Sequence, residues 1–239
     1  MSGSRGVSYA PRMSYDPDAG IAHLRTADPV MARIIEAVGP FAMREDGSDP
    51  FRALARAIIF QQLSGKAAGT IYSRFLAQFP ELKAGGDPVA RRSSPQFDPA
   101  REPFPLPQAV LELDDSAFRA AGMSRQKTAA LRDLALHFAE ERISTGLLHA
   151  WDDEAVIEHL TQVRGVGRWT AEMFLIFHLR RPDVLPVNDI GINRAIMRRY
   201  GLPAMPLPAQ VREIGAPWRP WASVACWYLW RSEDTLALE

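Results

Sequence analysis

The stretch 160–171 constrains the fold most strongly, because it combines two helical patterns with a short glycine turn. One helical pattern enters it from Trp151, and a second pattern leaves it toward Leu179. Gly165 and Gly167 lie in the turn between them, and glycine permits both left-handed backbone and the close approach of another backbone. The second helix begins with outward-pointing N–H groups that favour an anion such as a phosphate. The alternative is an ordinary corner between two helices, because short glycine turns are common.

Arg164 and Arg168 flank this turn in a chain whose formal net charge is zero. Between Leu160 and Arg231 there are ten arginines against four acidic residues, a net charge of +6, so the rest of the chain carries −6. A basic region on a neutral protein favours local contacts with phosphates. The alternative is that these arginines only lie on solvent-exposed helix surfaces and bind no phosphate.

Composition limits the class of protein. The chain has 239 residues, of which 47% are hydrophobic, so it can bury a sizeable core. Its one cysteine, Cys226, excludes an internal disulfide and an iron–sulfur cluster held by four cysteines. Neither a signal peptide nor an apolar run of membrane-spanning length is found, so we expect an intracellular, cytoplasmic protein without membrane contact.

Helix signals recur along the chain, and we find no alternating strand pattern, so we predict an all-α fold of about ten helices. Asp28-Pro29 and Asp49-Pro50 each place a capping carboxylate before a proline that suits the first helical position. The polar residues 1–20 are predicted to form a mobile tail. Residues 85–107, rich in Gly, Pro, Arg and Ser, are predicted to form a long loop.

A second motif follows the glycine turn. Residues 186–189 form a Pro-x-x-Asp turn before another helical pattern, and Asp189 lies 22 residues beyond Gly167. The hairpin, the intervening helix and this turn together resemble the helix-hairpin-helix DNA glycosylases, and are most similar to the 3-methyladenine DNA glycosylase II branch. The resemblance covers most of residues 20–231 and includes the segments 28–39, 51–66, 121–127 and 218–230.

The resemblance implies two helical lobes with a cleft between them. Residues 21–239 would form the glycosylase fold, with about 50–185 as the middle lobe and 21–49 plus 186–239 as the terminal lobe. Because few residues precede the first predicted helix, we expect no N-terminal β domain. The implied protein is a monomer that acts on double-stranded DNA containing an alkylated base and needs no cofactor for catalysis.

Asp189 is the predicted catalytic residue. Cleavage of an N-glycosidic bond builds positive charge on the deoxyribose, and a fixed carboxylate stabilises that charge. A carboxylate at a helix start also favours ionisation, since the helix N-terminus favours negative charge. The alternative is that Asp189 is only a helix cap, and the two roles are compatible.

Aromatic residues indicate the substrate class. Trp169 occupies the position of the Schiff-base lysine in bifunctional relatives, and because an indole cannot form an imine, we predict an enzyme without lyase activity. N-alkylated bases are cationic and stack favourably on tryptophan, by about 0.5–2 kcal/mol. Most tryptophans in 218–230 could equally be core residues, especially Trp218 and Trp221. The resemblance places Trp169, Trp230, Met173 and Trp227 in the base pocket, with Met173 replacing a tyrosine of a close relative.

Two further segments are predicted to contact DNA. The resemblance places a gap-filling side chain after the apolar helix that starts at Asp49-Pro50, and we assign that role to Gln62, or as second choice Leu63. Such a side chain fills the gap left when the base flips out, a step that costs a few kcal/mol. The alternative for this glutamine pair is a helix-end side chain that bonds local carbonyls. Residues 122–127 resemble a second backbone-gripping turn, in which Ser124 is also a plain N-cap. The predicted DNA contacts are Gln62, Leu63, Met123, Ser124, Arg125, Lys127, Arg164, Gly165, Gly167 and Arg168.

The hairpin in relatives also holds a monovalent cation. The resemblance implies a structural Na⁺ or K⁺ bound by the backbone carbonyls of Thr161, Val163 and Val166. Arg164 replaces the proline that is usual in the family, and this departure leaves the exact geometry of the turn open.

Three rival interpretations remain. A sister glycosylase would remove uracil, hypoxanthine or mismatched bases, and a substrate panel would identify it. A non-catalytic helix-hairpin-helix module would bind DNA equally well after Asp189→Asn and release no base. A helical protein unrelated to DNA would show no salt-dependent binding to duplex DNA.

Overall fold

The computed structural model describes residues 15–43, 48–79, 82 and 103–236. All regular secondary structure in these residues is helical, which confirms the predicted all-α fold. Thirteen α-helices and one short 3-10 helix are present among them, against about ten predicted. The α-helices are α1 (Pro17–Ala27), α2 (Pro29–Val38), α3 (Pro50–Phe60), α4 (Gly65–Leu76), α5 (Pro107–Glu112), α6 (Asp115–Ala120), α7 (Arg125–Ala139), α8 (Thr145–Ala150), α9 (Asp153–Thr161), α10 (Arg168–Phe177), α11 (Ile190–Arg199), α12 (Pro208–Gly215) and α13 (Ala222–Leu236). The 3-10 helix spans Ala216–Trp218.

Aspartate caps define several helix starts. Asp28 and Asp49 accept hydrogen bonds from backbone N–H groups of α2 and α3, as their Asp-Pro pairs predicted. Asp16 caps α1 in the same way. Residues 17–20 are therefore helical, and the prediction of a mobile tail is wrong for them. That prediction followed the overall polar composition of residues 1–20 and overlooked Asp16-Pro17, a third Asp-Pro pair at a helix start. Residues 1–14 and most of the predicted loop at 85–107 lie outside the described residues.

The contacts between residues divide the chain into two compact units, and the division falls inside α10, after Phe174. The first unit contains the described residues from Ser48 to Phe174. Its core is rich in aromatic side chains, among them Phe51, Phe75 and Phe118, which are buried. The long helix α7 packs against α3 and α5 in this unit, so it can support the turns at the ends of neighbouring helices.

The second unit contains residues 15–43 and 175–236 of the described chain. In it α13 packs against α2 and α11. The buried carboxylate of Asp28 joins three segments, because its Oδ2 accepts from Tyr200 Oη at 2.5 Å and from Trp218 Nε1 at 2.9 Å while its Oδ1 caps α2. Trp218 is fully buried, so its interpretation as a core residue is confirmed.

No helix in the described part of the chain combines the length and apolar composition that crossing a membrane requires.

Candidate active site and candidate DNA-contacting turns

The hairpin turn between α9 and α10 depends on Gly165. Its φ of +81° lies in the left-handed region, which favours glycine. A Cβ at this position would come within 3.1 Å of Ala130 Cβ on α7, so the turn also packs closely against that helix. Val163 and Val166 anchor the turn with buried side chains, and Val166 N donates to the Val163 carbonyl at 3.0 Å.

The two arginines that flank the turn have different surroundings. The backbone N–H of Arg164 donates to Asp133 Oδ2 at 2.7 Å, and the arginine itself is exposed. The guanidinium of Arg168 donates to both carboxylate oxygens of Glu154, at 3.0 and 2.5 Å, and to Glu172 Oε1 at 3.0 Å. The hydrogen bonds from Arg168 hold the pKa of Glu154 below its ordinary value. Arg168 therefore meets acidic partners of its own chain at the position where a phosphate was predicted.

A second turn joins α3 to α4. Gln62 lies at its tip with φ +59°, exposed, and Leu63 next to it is 38% exposed. Gln61 behaves differently, because its Nε2 donates to the Gly165 carbonyl at 3.0 Å and lies 3.3 Å from Thr170 Oγ1. Gln61 therefore bonds a carbonyl, but that carbonyl is 104 residues away and is not the local partner that the alternative interpretation supposed. The gap-filling role of Gln62 stays a prediction.

A third turn precedes α7. Ser124 Oγ accepts from Lys127 N at 3.3 Å, which confirms Ser124 as an N-cap. The ammonium of Lys127 donates to the Gln61 carbonyl at 2.8 Å and also to the Ile59 carbonyl. Partial burial lowers the pKa of Lys127. Met123 is buried, whereas Arg125 is exposed at the helix start.

The second unit places Asp189 at the N-terminus of α11. Its Oδ1 accepts from Ile192 N at 2.7 Å, so Asp189 is a helix cap, and its residue exposure is only 6%. The same Oδ1 accepts from the indole Nε1 of Trp230 at 3.0 Å. Trp230 in turn stacks on Phe177, with ring centroids 5.4 Å apart. The carboxylate is therefore held by a backbone N–H and by a side chain from α13.

Gly191 makes this arrangement compact. A Cβ at Gly191 would lie 3.1 Å from Trp230 Cδ1 and 3.2 Å from Asp189 Oδ1, so the missing side chain leaves room for the indole. Neither Gly191 nor Phe177 was among the residues predicted from the sequence. A glycine two residues after the capping aspartate, inside a helix, was an available signal of close approach.

Residues 55–220 of the chain match the HhH-GPD superfamily of base excision DNA repair proteins. The chain belongs to that superfamily. It is 31% identical to DNA-3-methyladenine glycosylase 1 of Schizosaccharomyces pombe, over 88% of this chain and 85% of that protein. A structure of the 3-methyladenine DNA glycosylase of the same yeast in complex with abasic DNA is similar with a TM-score of 0.73 and 30% identity, covering 90% of this chain and 97% of that one. The DNA-3-methyladenine glycosidase structure from Bacillus halodurans gives a TM-score of 0.74 and 31% identity, covering 95% and 93%.

Within this HhH-GPD fold the remaining predicted pocket residues have unlike surroundings. Trp169, in the first turn of α10, is a large exposed side chain, 48% accessible. Met173 follows one helical turn later and is half-buried. Trp227 is only 5% exposed and packs on Phe41, with ring centroids 4.7 Å apart, so most of its surface is already covered by its own unit. The role of each in base binding stays a prediction.

Proposed function

We propose that this HhH-GPD protein is a monofunctional DNA glycosylase that hydrolyses the N-glycosidic bond of alkylated bases, of the 3-methyladenine and 7-methylguanine type, in duplex DNA. The observation that carries the proposal is the buried Asp189 carboxylate, which Ile192 N and Trp230 Nε1 fix at the start of α11. The similarity to two proteins named as 3-methyladenine glycosylases supports the substrate class.

The chemistry needs few groups when the base is alkylated. Breaking the bond leaves positive charge on the deoxyribose, and Asp189 stabilises it electrostatically. Water adds its oxygen to the anomeric carbon and gives up a proton, while the base leaves with the electron pair of the broken bond. A cationic N-alkylated base departs as a neutral molecule, so no strong general acid is required. The products are the free base and an abasic site.

The DNA duplex is proposed to be held by the turns of the first unit. The backbone N–H groups at the starts of α7 and α10, together with neighbouring cationic side chains, suit phosphate oxygens. Gln62, with Leu63 beside it, fills the space of the displaced base. The abasic DNA bound in the similar yeast structure supports DNA as the partner. The residues assigned to DNA are Gln62, Leu63, Met123, Ser124, Arg125, Arg164, Gly165, Gly167 and Arg168. Lys127, which the sequence predicted as a DNA contact, is not assigned to DNA, because its ammonium donates to the carbonyls of Ile59 and Gln61.

Absence of lyase activity is proposed from Trp169, since an indole cannot attack the abasic sugar as a lysine amine does.

A further proposal concerns the hairpin, where the carbonyls of Thr161, Val163 and Val166 would hold Na⁺ or K⁺. Carbonyl oxygens are ligands that hard cations accept, and the Val163 carbonyl, which takes one hydrogen bond from Val166 N, keeps a second lone pair. The ion would stabilise the turn and takes no part in bond cleavage.

The test is base release from duplex DNA methylated to contain 3-methyladenine and 7-methylguanine. Free methylated bases, and strand breaks that appear only after alkali, are the expected result. Breaks without alkali, or covalent trapping of the protein on DNA by borohydride, would contradict a monofunctional enzyme. A panel with uracil, hypoxanthine and mismatched bases tests the sister activities, and release from those substrates alone would replace the alkylated-base assignment.

A further inference from the structure

Helix α7 carries three residues at a spacing of three that contact both DNA-facing turns of the first unit. Lys127 donates to the carbonyls of Ile59 and Gln61, at the end of α3. Ala130 is the close neighbour of Gly165 in the hairpin. Asp133 accepts the backbone N–H of Arg164 in the same hairpin, at 2.7 Å. Residues spaced by three lie near one face of a helix, so α7 supports the two turns along one side.

Gln61 completes this connection. Its backbone carbonyl accepts from the Lys127 ammonium at 2.8 Å, while its side-chain amide donates to the Gly165 carbonyl at 3.0 Å. The same amide nitrogen lies 3.3 Å from Thr170 Oγ1 on α10. One residue therefore joins the turn of Gln62 to the hairpin and to α7.

The turn at Gln62 needs such support for a physical reason. Gln62 has φ +59°, a left-handed conformation that costs a residue with a side chain about 1–2 kcal/mol. Displacing a base from the duplex costs a few kcal/mol more. A turn that can change its conformation would do so on contact with the stacked bases, and the base would stay in the duplex. The ammonium of Lys127 at the C-terminal end of α3 stabilises carbonyls that carry partial negative charge, and so keeps the turn in place.

We propose that Gln61 and Lys127 are positioning residues that hold the Gln62–Leu63 turn fixed relative to the phosphate-binding hairpin, so that binding of the DNA backbone drives base displacement. The inference rests on the proposed function. Neither residue acts on the glycosidic bond. Both therefore contribute when a lesion is paired and stacked, and they contribute little when it is already unpaired.

The experiment compares single-turnover base release from two duplexes that carry 7-methylguanine, one with the lesion opposite cytosine and one with it opposite a tetrahydrofuran abasic analogue. The variants are Gln61→Leu, which keeps the size of the side chain, and Lys127→Met, which keeps its aliphatic stem. Gln78→Leu is the matched control, because Gln78 Nε2 bonds the Arg74 carbonyl of its own helix end, at 3.1 Å. Lys127→Arg tests whether a cation restores the rate, and thermal unfolding verifies that each variant is folded.

Gln61→Leu and Lys127→Met are expected to slow release from the paired lesion by about tenfold or more, equivalent to about 1.4 kcal/mol, and to leave the unpaired lesion within about threefold of wild type. Gln78→Leu should match wild type on both duplexes. Equal losses on the two duplexes, or no loss on either, would overturn the positioning role. If wild type releases no base from either duplex, the proposed function fails separately. A 2-aminopurine placed beside the lesion then tests the inference by fluorescence, since unstacking must be weaker in both variants.

Discussion

The indole Nε1 of Trp230 donates a hydrogen bond to Asp189 Oδ1 at 3.0 Å. The same oxygen accepts from Ile192 N at 2.7 Å, so two N–H groups fix the orientation of one buried carboxylate. Trp230 also stacks on Phe177, which restrains the indole plane. Trp230 is thus a positioning partner of the proposed catalytic residue, whatever further contact it makes with a flipped base.

Trp230→Phe separates this hydrogen bond from aromatic bulk. We expect kcat for release of 7-methylguanine to fall about 10- to 100-fold, because the carboxylate loses the indole N–H donor, and a hydrogen bond to a charged group contributes about 1.5–3 kcal/mol. The KM should change little if the ring still packs on Phe177. Steady-state kinetics on methylated duplex DNA checks this, and a variant with wild-type kcat would remove the indole from the mechanism.

Gly191→Ala tests the space beside the same pair. A Cβ there would lie 3.1 Å from Trp230 Cδ1 and 3.2 Å from Asp189 Oδ1, so the indole must shift by a few tenths of an ångström. Activity should fall, whereas the free energy of unfolding should change by less than about 1 kcal/mol, since alanine is the better helix former. Kinetics and chemical denaturation measure the two quantities. Loss of both together would point to a misfolded helix start instead of a displaced carboxylate.

Gly165→Ala should destabilise the hairpin turn. At φ +81° a side chain costs about 1–2 kcal/mol, and its Cβ would also press on Ala130 at 3.1 Å. Denaturant unfolding should show this loss of stability, and a separate binding measurement should show weaker affinity for duplex DNA. Gly167→Ala is the stability control, because a Cβ there meets nothing within 4 Å. Equal free energies of unfolding for wild type and Gly165→Ala would contradict the requirement for glycine.

Glu154→Gln should release the Nη groups of Arg168 for DNA, while its Nε stays bonded to Glu172. The Arg168–Glu154 pair is exposed, so its loss should change stability by no more than about 1 kcal/mol. Duplex affinity should rise at low salt, and the salt dependence should steepen by about one counterion. Glu158→Gln on α9 makes the same charge change, and an equal gain there would assign the effect to net charge alone.

The pH dependence of this difference has a definite sign. The hydrogen bonds from Arg168 lower the pKa of Glu154, so the stabilising pair is present above the unfolded pKa and is lost as pH falls through the lower, folded pKa. The affinity gain of Glu154→Gln should therefore persist at neutral pH and vanish in acid.

Local signals in the sequence predicted most of the helices, though not α1 or α8, and the capping role of Asp189, because a cap depends on neighbours a few residues apart. The contacts that tie the site together were not predictable in this way. Gln61 meets Gly165 across 104 residues, Trp230 meets Asp189 across 41, and Asp133 meets Arg164 across 31. Such pairs depend on how helices pack, and no periodicity in a single sequence encodes that.

The most direct test of the account is base release by wild type and Asp189→Asn on duplex DNA containing 3-methyladenine and 7-methylguanine. Asparagine caps a helix as well as aspartate does, so the variant should keep the fold and lose only the negative charge. We predict release by wild type and a loss of at least about a hundredfold in the variant, with unchanged thermal unfolding and duplex binding. Equal release by both proteins would contradict the central role of Asp189.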